Sequence, residues 1–232
     1  MEKIAFLDFD GTLSSGLSAI EFMKLLTDKK IYPEESFKNL NKHRSLFVGS
    51  KTTHDELCIG VFSNWAEGIK NQFMNTIKLN AMEFVKTYKN NIYPSSYQLI
   101  KYLKECGYYT VLISASQHEI ISLLGEELGF DEVHATKVRI KSGLYTGELI
   151  TKSHLSLGKA EIMQELSEKY NVNLQQCIAM GDAGGDLNML ETAGIPIVLN
   201  PHKSFINTAE EKGWPIFYQD SIMKRLRIRK KS

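Results

Sequence analysis

The sequence predicts an α/β fold: a mostly parallel sheet flanked by helices, with a helical segment inserted after the first strand. Short continuous apolar runs recur at KIAFLDF (3–9), YYTVLISAS (108–116), CIAMGD (177–182), IPIVLN (195–200) and WPIFY (214–218), as in strands buried on both faces. Helical patterns separate most of these runs, and such alternation builds parallel sheets. From about Ser14 to Asn91 the alternation stops and only helical patterns remain.

The first run ends in Asp8 and Asp10 and is stopped by Gly11 and Thr12. The stretches that follow, AIEFMKLLTDKK, EESFKNLNKHRSLF and AMEFVKTYKNN, carry apolar residues at helical spacing. Because this segment leaves the carboxyl end of a strand, it stands where open α/β sheets bind ligands, and a lid is expected there. The chain therefore divides into a core of residues 1–13 and 92–232 and a helical cap of residues 14–91. In the core, YQLIKYLKECG (97–107) and EIISLLGEELG (119–129) read as helices closed by glycine, and KAEIMQELSEKY (159–170) as a third. Period-two patterning around Ser142-Gly143 makes residues 132–151 a β-hairpin or flap appended to the sheet.

A net charge of +1 over 232 residues supplies no field for nucleic acid or anionic lipid. Three scattered cysteines, Cys58, Cys106 and Cys177, show neither a disulfide framework nor zinc spacing, which fits a reducing cytoplasm. No run approaches the length of a membrane span, so a soluble protein without membrane insertion is expected. The basic run KRLRIRKKS at the end reads as a solvated, frayed tail.

The chemistry collects at strand ends. Asp8 and Asp10 follow the first run, Ser114, Ala115 and Ser116 close the second, and Asp182 and Asp186 follow CIAM. In an open parallel sheet these ends share one edge. Two carboxylates this close are costly unless a cation or proton offsets them. Hard oxygen ligands of this kind suit Mg²⁺ bound with a substrate phosphate. Gly11-Thr12, Ser114-Ala115-Ser116 and the GDAGGD turn supply N–H groups and hydroxyls for an anion, and Lys159 at a helix start adds a positive charge. No histidine shows metal-ligand spacing; His118, two residues beyond Ser116, is either a substrate contact or a helix-start residue.

Together these motifs resemble the haloacid dehalogenase (HAD) superfamily of phosphohydrolases, in its phosphoserine-phosphatase-like branch (subfamily IB), whose helical cap follows the first motif. Asp8-Phe9-Asp10-Gly11-Thr12-Leu13 resembles the first motif, Ser114 the second, Lys159 the third, and Gly181-Asp182 with Asp186 the fourth. The segments 91–116 and 194–217 resemble that branch too, so the likeness spans nearly the whole chain. The resemblance implies a Rossmann-like core and a phosphoric monoester hydrolase acting on a small phosphorylated metabolite. It implies that Asp8 is the nucleophile forming an aspartyl-phosphate and that Asp10 is the general acid and base. Mg²⁺ would be held by Asp8, the main-chain carbonyl of Asp10, and Asp182, with Asp186 and Thr12 in support. Ser114, Ala115 and Lys159 would hold the phosphoryl oxygens.

The glutamate that phosphoserine phosphatases carry seven residues beyond the second aspartate is here Leu17. Glu21 is the nearest acid further along, and Arg44 is a cap residue able to bind a carboxylate. The expectation is therefore a phosphatase of wider metabolite specificity. Phosphoserine phosphatase proper is the alternative within the enzyme class, and a catalytically silent phosphate-binding or regulatory protein the alternative outside it.

Overall fold

The computed structural model describes residues 3–40 and 53–227. Its main sheet has the order β3-β2-β1-β6-β7-β8, and every pairing in it is parallel. These strands are β1 (Ile4–Leu7), β2 (Tyr109–Gln117), β3 (Glu132–Thr136), β6 (Ile178–Gly181), β7 (Ile195–Leu199) and β8 (Ile216–Phe217).

Strand β1 lies at the centre, with Ala5 opposite Thr110 on one side and Ile178 on the other. All four of its residues are fully buried, which explains its unbroken apolar run. Successive side chains point to opposite faces of a strand. Ile4, Phe6, Val111 and Ile113 accordingly pack with Ile162, Met163 and Leu166 of α7 (Ser156–Tyr170). Ala5, Leu7 and Leu112 face the other way, toward α5 (Pro94–Glu105) and α6 (His118–Leu128). Gly129, with φ +79°, stops α6 in the left-handed conformation that glycine adopts without steric cost.

Between β1 and α5 lie α1 (Ser18–Asp28), α2 (34–40), α3 (His54–Gly68) and α4 (Met74–Tyr88). Trp65, fully buried, packs against Phe22 and stacks on Tyr32, while Phe22 meets Phe84. This aromatic core is continuous with the α5 and α6 face of the sheet. The segment departs and returns through adjacent backbone: Ser15 N donates to Asn91 O (2.9 Å) and Tyr93 N to Leu13 O (3.0 Å).

Two expectations need correction. Residues 132–151 are not one appended hairpin, because 132–136 form β3, an edge strand of the main sheet; only β4 (Val138–Lys141) and β5 (Leu144–Leu149) form the antiparallel pair. An edge strand half-exposed on one face shows the same alternation as a hairpin arm. The beginning of the basic run is not frayed: α10 (Ile222–Arg225) buries Ile222, Leu226 is also buried, and the Arg225 guanidinium sits over the Phe217 ring. Arg229, Lys230 and Lys231 lie outside the described residues. The remaining helices are α8 (Leu187–Thr192) and α9 (Ile206–Glu211). No helix among the described residues is long and apolar enough to cross a membrane.

Leu112, fully buried in β2, and Leu79, exposed on α4, give a direct test of this packing. Leu112→Ala should cost about 2–5 kcal/mol of unfolding free energy in urea, and Leu79→Ala less than about 0.5 kcal/mol.

Candidate active site

The strand order reverses at β1: the chain builds outward to β2 and β3 on one side and to β6, β7 and β8 on the other. Such a switch point opens a crevice beyond the carboxyl ends of the two adjoining strands. Asp8 follows β1 and Asp182 follows β6, and the Asp8 backbone N–H donates to Met180 O (2.9 Å), so the two aspartates meet there.

Lys159, in the first turns of α7, donates to Asp8 Oδ1 (2.6 Å) and to Asp186 Oδ1 (2.7 Å). Asp186 Oδ2 accepts from the backbone N–H groups of Asp182 (3.0 Å) and Ala183 (3.3 Å), which shapes the turn after β6. Thr12 Oγ1 lies 2.9 Å from Asp182 Oδ1 and 3.2 Å from Asp8 Oδ2, so its single proton serves one carboxylate at a time. Two glycines make room for this crowding. A Cβ on Gly181 would collide with Asp186, and one on Gly11, whose φ is +88°, would lie 2.5 Å from Asp182 Oδ2.

The carboxylates of Asp8, Asp182 and Asp186 come within 4.8 Å of one another and all three residues are buried. Burial, reinforced by Asp186, raises the Asp8 carboxyl to about 7 against the pull of Lys159. Burial, with Asp186 and then Asp8, also holds the Asp182 carboxyl well above its ordinary range. Burial alone would lower the Lys159 pKa, but Asp186 and Asp8 outweigh it and keep the ammonium charged. Three buried carboxylates against one lysine leave excess negative charge on hard oxygen donors, and that donor set fits a divalent cation.

The Asp10 carboxylate lies outside this trio; the resemblance assigns only its main-chain carbonyl to the metal and leaves the carboxyl for acid and base chemistry. Its Oδ1 accepts from the Ser18 backbone N–H (2.7 Å) and lies 3.2 Å from Tyr88 Oη. Its Oδ2 lies 2.6 Å from Ser116 Oγ and 2.8 Å from Ser18 Oγ. Burial raises the Asp10 pKa while these donors oppose the rise. Asp186, expected in support, belongs to the trio itself. Ser114 is buried at the end of β2, and its Oγ accepts from the Ser116 backbone N–H (3.1 Å).

These groups open onto a cavity of about 380 Å³, which Ser114 and Ala115 also line. Leu17, Ile20, Leu57, Val61 and Phe62 line the same cavity, as do His154, His202 and Ser204. His54 and Cys58 of α3 line it too; burial, and then Lys159, lower the His54 pKa, and burial pushes the Cys58 thiol up to about 12. His118 is the first residue of α6 and does not line the cavity; burial pushes its imidazole down to about 4. Arg44 lies outside the described residues. Sequence reasoning missed Ser18, Tyr88 and the α3 wall, none of which forms a motif. The one hint was that Ser18 starts the helix following the paired aspartates.

These shifts make a signed prediction for the metal-free protein. Native Asp8 and Asp182 keep protons that the unfolded chain releases from ~4 upward, and Asp8 does so up to about 7. The native state then binds more protons, so stability falls as pH rises through this window. Lys159, charged throughout, adds no slope. Thermal unfolding should give a lower Tm at about pH 8 than at about pH 5, and a larger stabilisation by Mg²⁺ at the higher pH. Asp182→Asn should flatten both effects.

The comparisons with known proteins agree with this geometry. A probable phosphatase of Mycobacterium tuberculosis is 27% identical over 222 residues, which cover 91% of this chain and 74% of that one. A phosphoserine phosphatase of the same organism is 25% identical over 222 residues, covering 91% and 69%. A solved substrate-bound phosphoserine phosphatase superposes with a TM-score of 0.70 at 19% identity, over 98% of this chain and 99% of that one, and shares the fold. The family model described as haloacid dehalogenase-like hydrolase matches residues 5–191, and the chain belongs to that family of hydrolases.

Proposed function

We propose that the protein is a magnesium-dependent phosphatase that hydrolyses a small-molecule phosphate monoester through an aspartyl-phosphate on Asp8. The observation that carries this reading is the buried trio of Asp8, Asp182 and Asp186 at the switch point of the sheet, two of them, Asp8 and Asp186, paired with Lys159. In the first half-reaction an Asp8 oxygen bonds to phosphorus as the ester P–O bond breaks, and Asp10 gives its proton to the departing alcohol. In the second, Asp10 takes a proton from the water that attacks phosphorus, inorganic phosphate leaves, and the Asp8 carboxylate is restored. Lys159 neutralises the transferring phosphoryl group, and Ser114 with the Ala115 backbone holds its oxygens, so the transition state meets fixed donors.

Asp8, Asp182, the Asp10 carbonyl and Asp186 are the groups to hold Mg²⁺, with Thr12 bridging two of the carboxylates. When bound, the ion neutralises the trio and screens an incoming phosphate dianion from the nucleophile. Residues 14–91 act as the cap over a core of residues 1–13 and 92–232. Asp10 is gripped by two cap residues, Ser18 and Tyr88, so cap position and proton transfer are linked. Three buried free cysteines suit a reducing, cytoplasmic setting.

Phosphoserine phosphatase proper is the second reading, favoured by the relative of that name. Leu17 weighs against it, since an apolar side chain lines the cavity where an acid would meet an ammonium. No member of the proposed machinery is missing, which weighs against a silent scaffold.

Phosphate release from a panel of monoesters tests the reading. Turnover should require Mg²⁺, Asp8→Asn should lower kcat by about 10³-fold or more, and Asp10→Asn by about 10²–10⁴-fold. Undiminished turnover by folded Asp8→Asn would remove the nucleophile assignment.

A further inference from the structure

Resting on the phosphatase reading, we infer that the ester's alcohol portion is uncharged and largely apolar, an alkyl or aryl phosphate, and that Leu17 sets this preference. The charged groups lining the cavity, Asp8, Asp10, Lys159, Asp182 and Asp186, surround the place for phosphate. The rest of the lining joins apolar Leu17, Ile20 of α1, and Leu57, Val61 and Phe62 of α3 with His54, His154 and His202, and the His154 ring packs on Phe62. Among the described residues the lining holds no lysine, arginine, aspartate or glutamate beyond the five around the phosphate. Glu21 lies outside it, with Oε1 3.4 Å from the Leu17 backbone N.

The position of Asp10 fixes the direction in which the alcohol leaves. Its carboxylate accepts from the Ser18 backbone N–H at 2.7 Å, so the group that protonates the departing oxygen is one residue away from Leu17. Carbon atoms attached to that oxygen extend toward Leu17 and Ile20. An ammonium or carboxylate on them would lose water there and find no oppositely charged partner among the described lining beyond the phosphate-site groups, whereas methylenes would cover apolar surface.

Leu17 is also locally anomalous. It holds the N-cap position of α1, where serine, threonine, aspartate or asparagine would satisfy a free backbone N–H, and it makes no side-chain cap bond. Its side chain is not core either, since the residue is 47% exposed. A residue that serves neither the helix nor the core and yet lines the catalytic cavity marks a site of function.

The test compares kcat/KM of the Mg²⁺-loaded full chain for ethyl, butyl and hexyl phosphate, phosphoserine, phosphoethanolamine, a sugar phosphate and para-nitrophenyl phosphate. The alkyl series should rise by about fourfold per methylene, chiefly through KM, and butyl phosphate should exceed phosphoserine by about 10²-fold. Leu17→Glu should lower butyl phosphate turnover about tenfold and raise that of phosphoethanolamine. A flat alkyl series, or phosphoserine or the sugar phosphate ahead of butyl phosphate, overturns the inference and leaves the phosphatase reading standing. No hydrolysis of any ester, para-nitrophenyl phosphate included, removes the phosphatase reading and the inference together.

Discussion

The Lys159 ammonium, shared between Asp8 and Asp186 in the protein interior, is the interaction on which the rest of the site depends. Buried charges persist only when partnered. One lysine cannot partner three carboxylates, and the remaining charge shows in the raised pKa values of Asp8 and Asp182. The fold thus concentrates incompletely partnered negative charge at one point, on hard oxygen donors that fit a divalent cation. The sheet creates that point, because only at the reversal of strand order do the ends of β1 and β6 lie side by side over an open crevice.

A second constraint acts on Asp10. Its four contacts come from Ser18 and Tyr88 of the helical segment and from Ser116 of the core, so one buried carboxyl bridges the two parts. The β4–β5 hairpin holds the same segment from the other side: Asn71 N donates to Tyr145 O, Tyr145 N to Gln72 O, and Met74 N to Gly143 O. The segment is therefore anchored both at Asp10 and at the turn between α3 and α4. The cavity between these anchors takes its polarity from the core and its apolar wall from the segment.

The sequence carried the frame of the site because the residues that build it obey local rules. Strands buried on both faces read as apolar runs, and polar groups ending such runs in a parallel sheet must share an edge, so the convergence of Asp8, Asp182 and Ser114 was legible before any coordinates, while Lys159, a positive charge at a helix start, was tied to them only through the family resemblance. The membership of Asp186 in the carboxylate trio was not, because it depends on the turn folding back until the Asp186 carboxylate meets two backbone N–H groups and Lys159. Ser18 and Tyr88 were invisible as Asp10 partners: Tyr88 lies 78 residues away and belongs to an unremarkable amphipathic helix. Strand β3 was misjudged because the polar–apolar alternation of Glu132–Thr136 fits an edge strand as well as a hairpin arm, and the pattern alone does not name the partner strand.

The most direct measurement is the covalent state of Asp8 during turnover, read by mass spectrometry of the protein acid-quenched in the presence of Mg²⁺ and an aryl phosphate. The account predicts one phosphoryl group on the peptide containing Asp8, absent from Asp8→Asn and accumulating when Asp10→Asn slows hydrolysis of the intermediate. Turnover with no phosphorylated enzyme under any of these conditions, or the phosphoryl group on another residue, would contradict it.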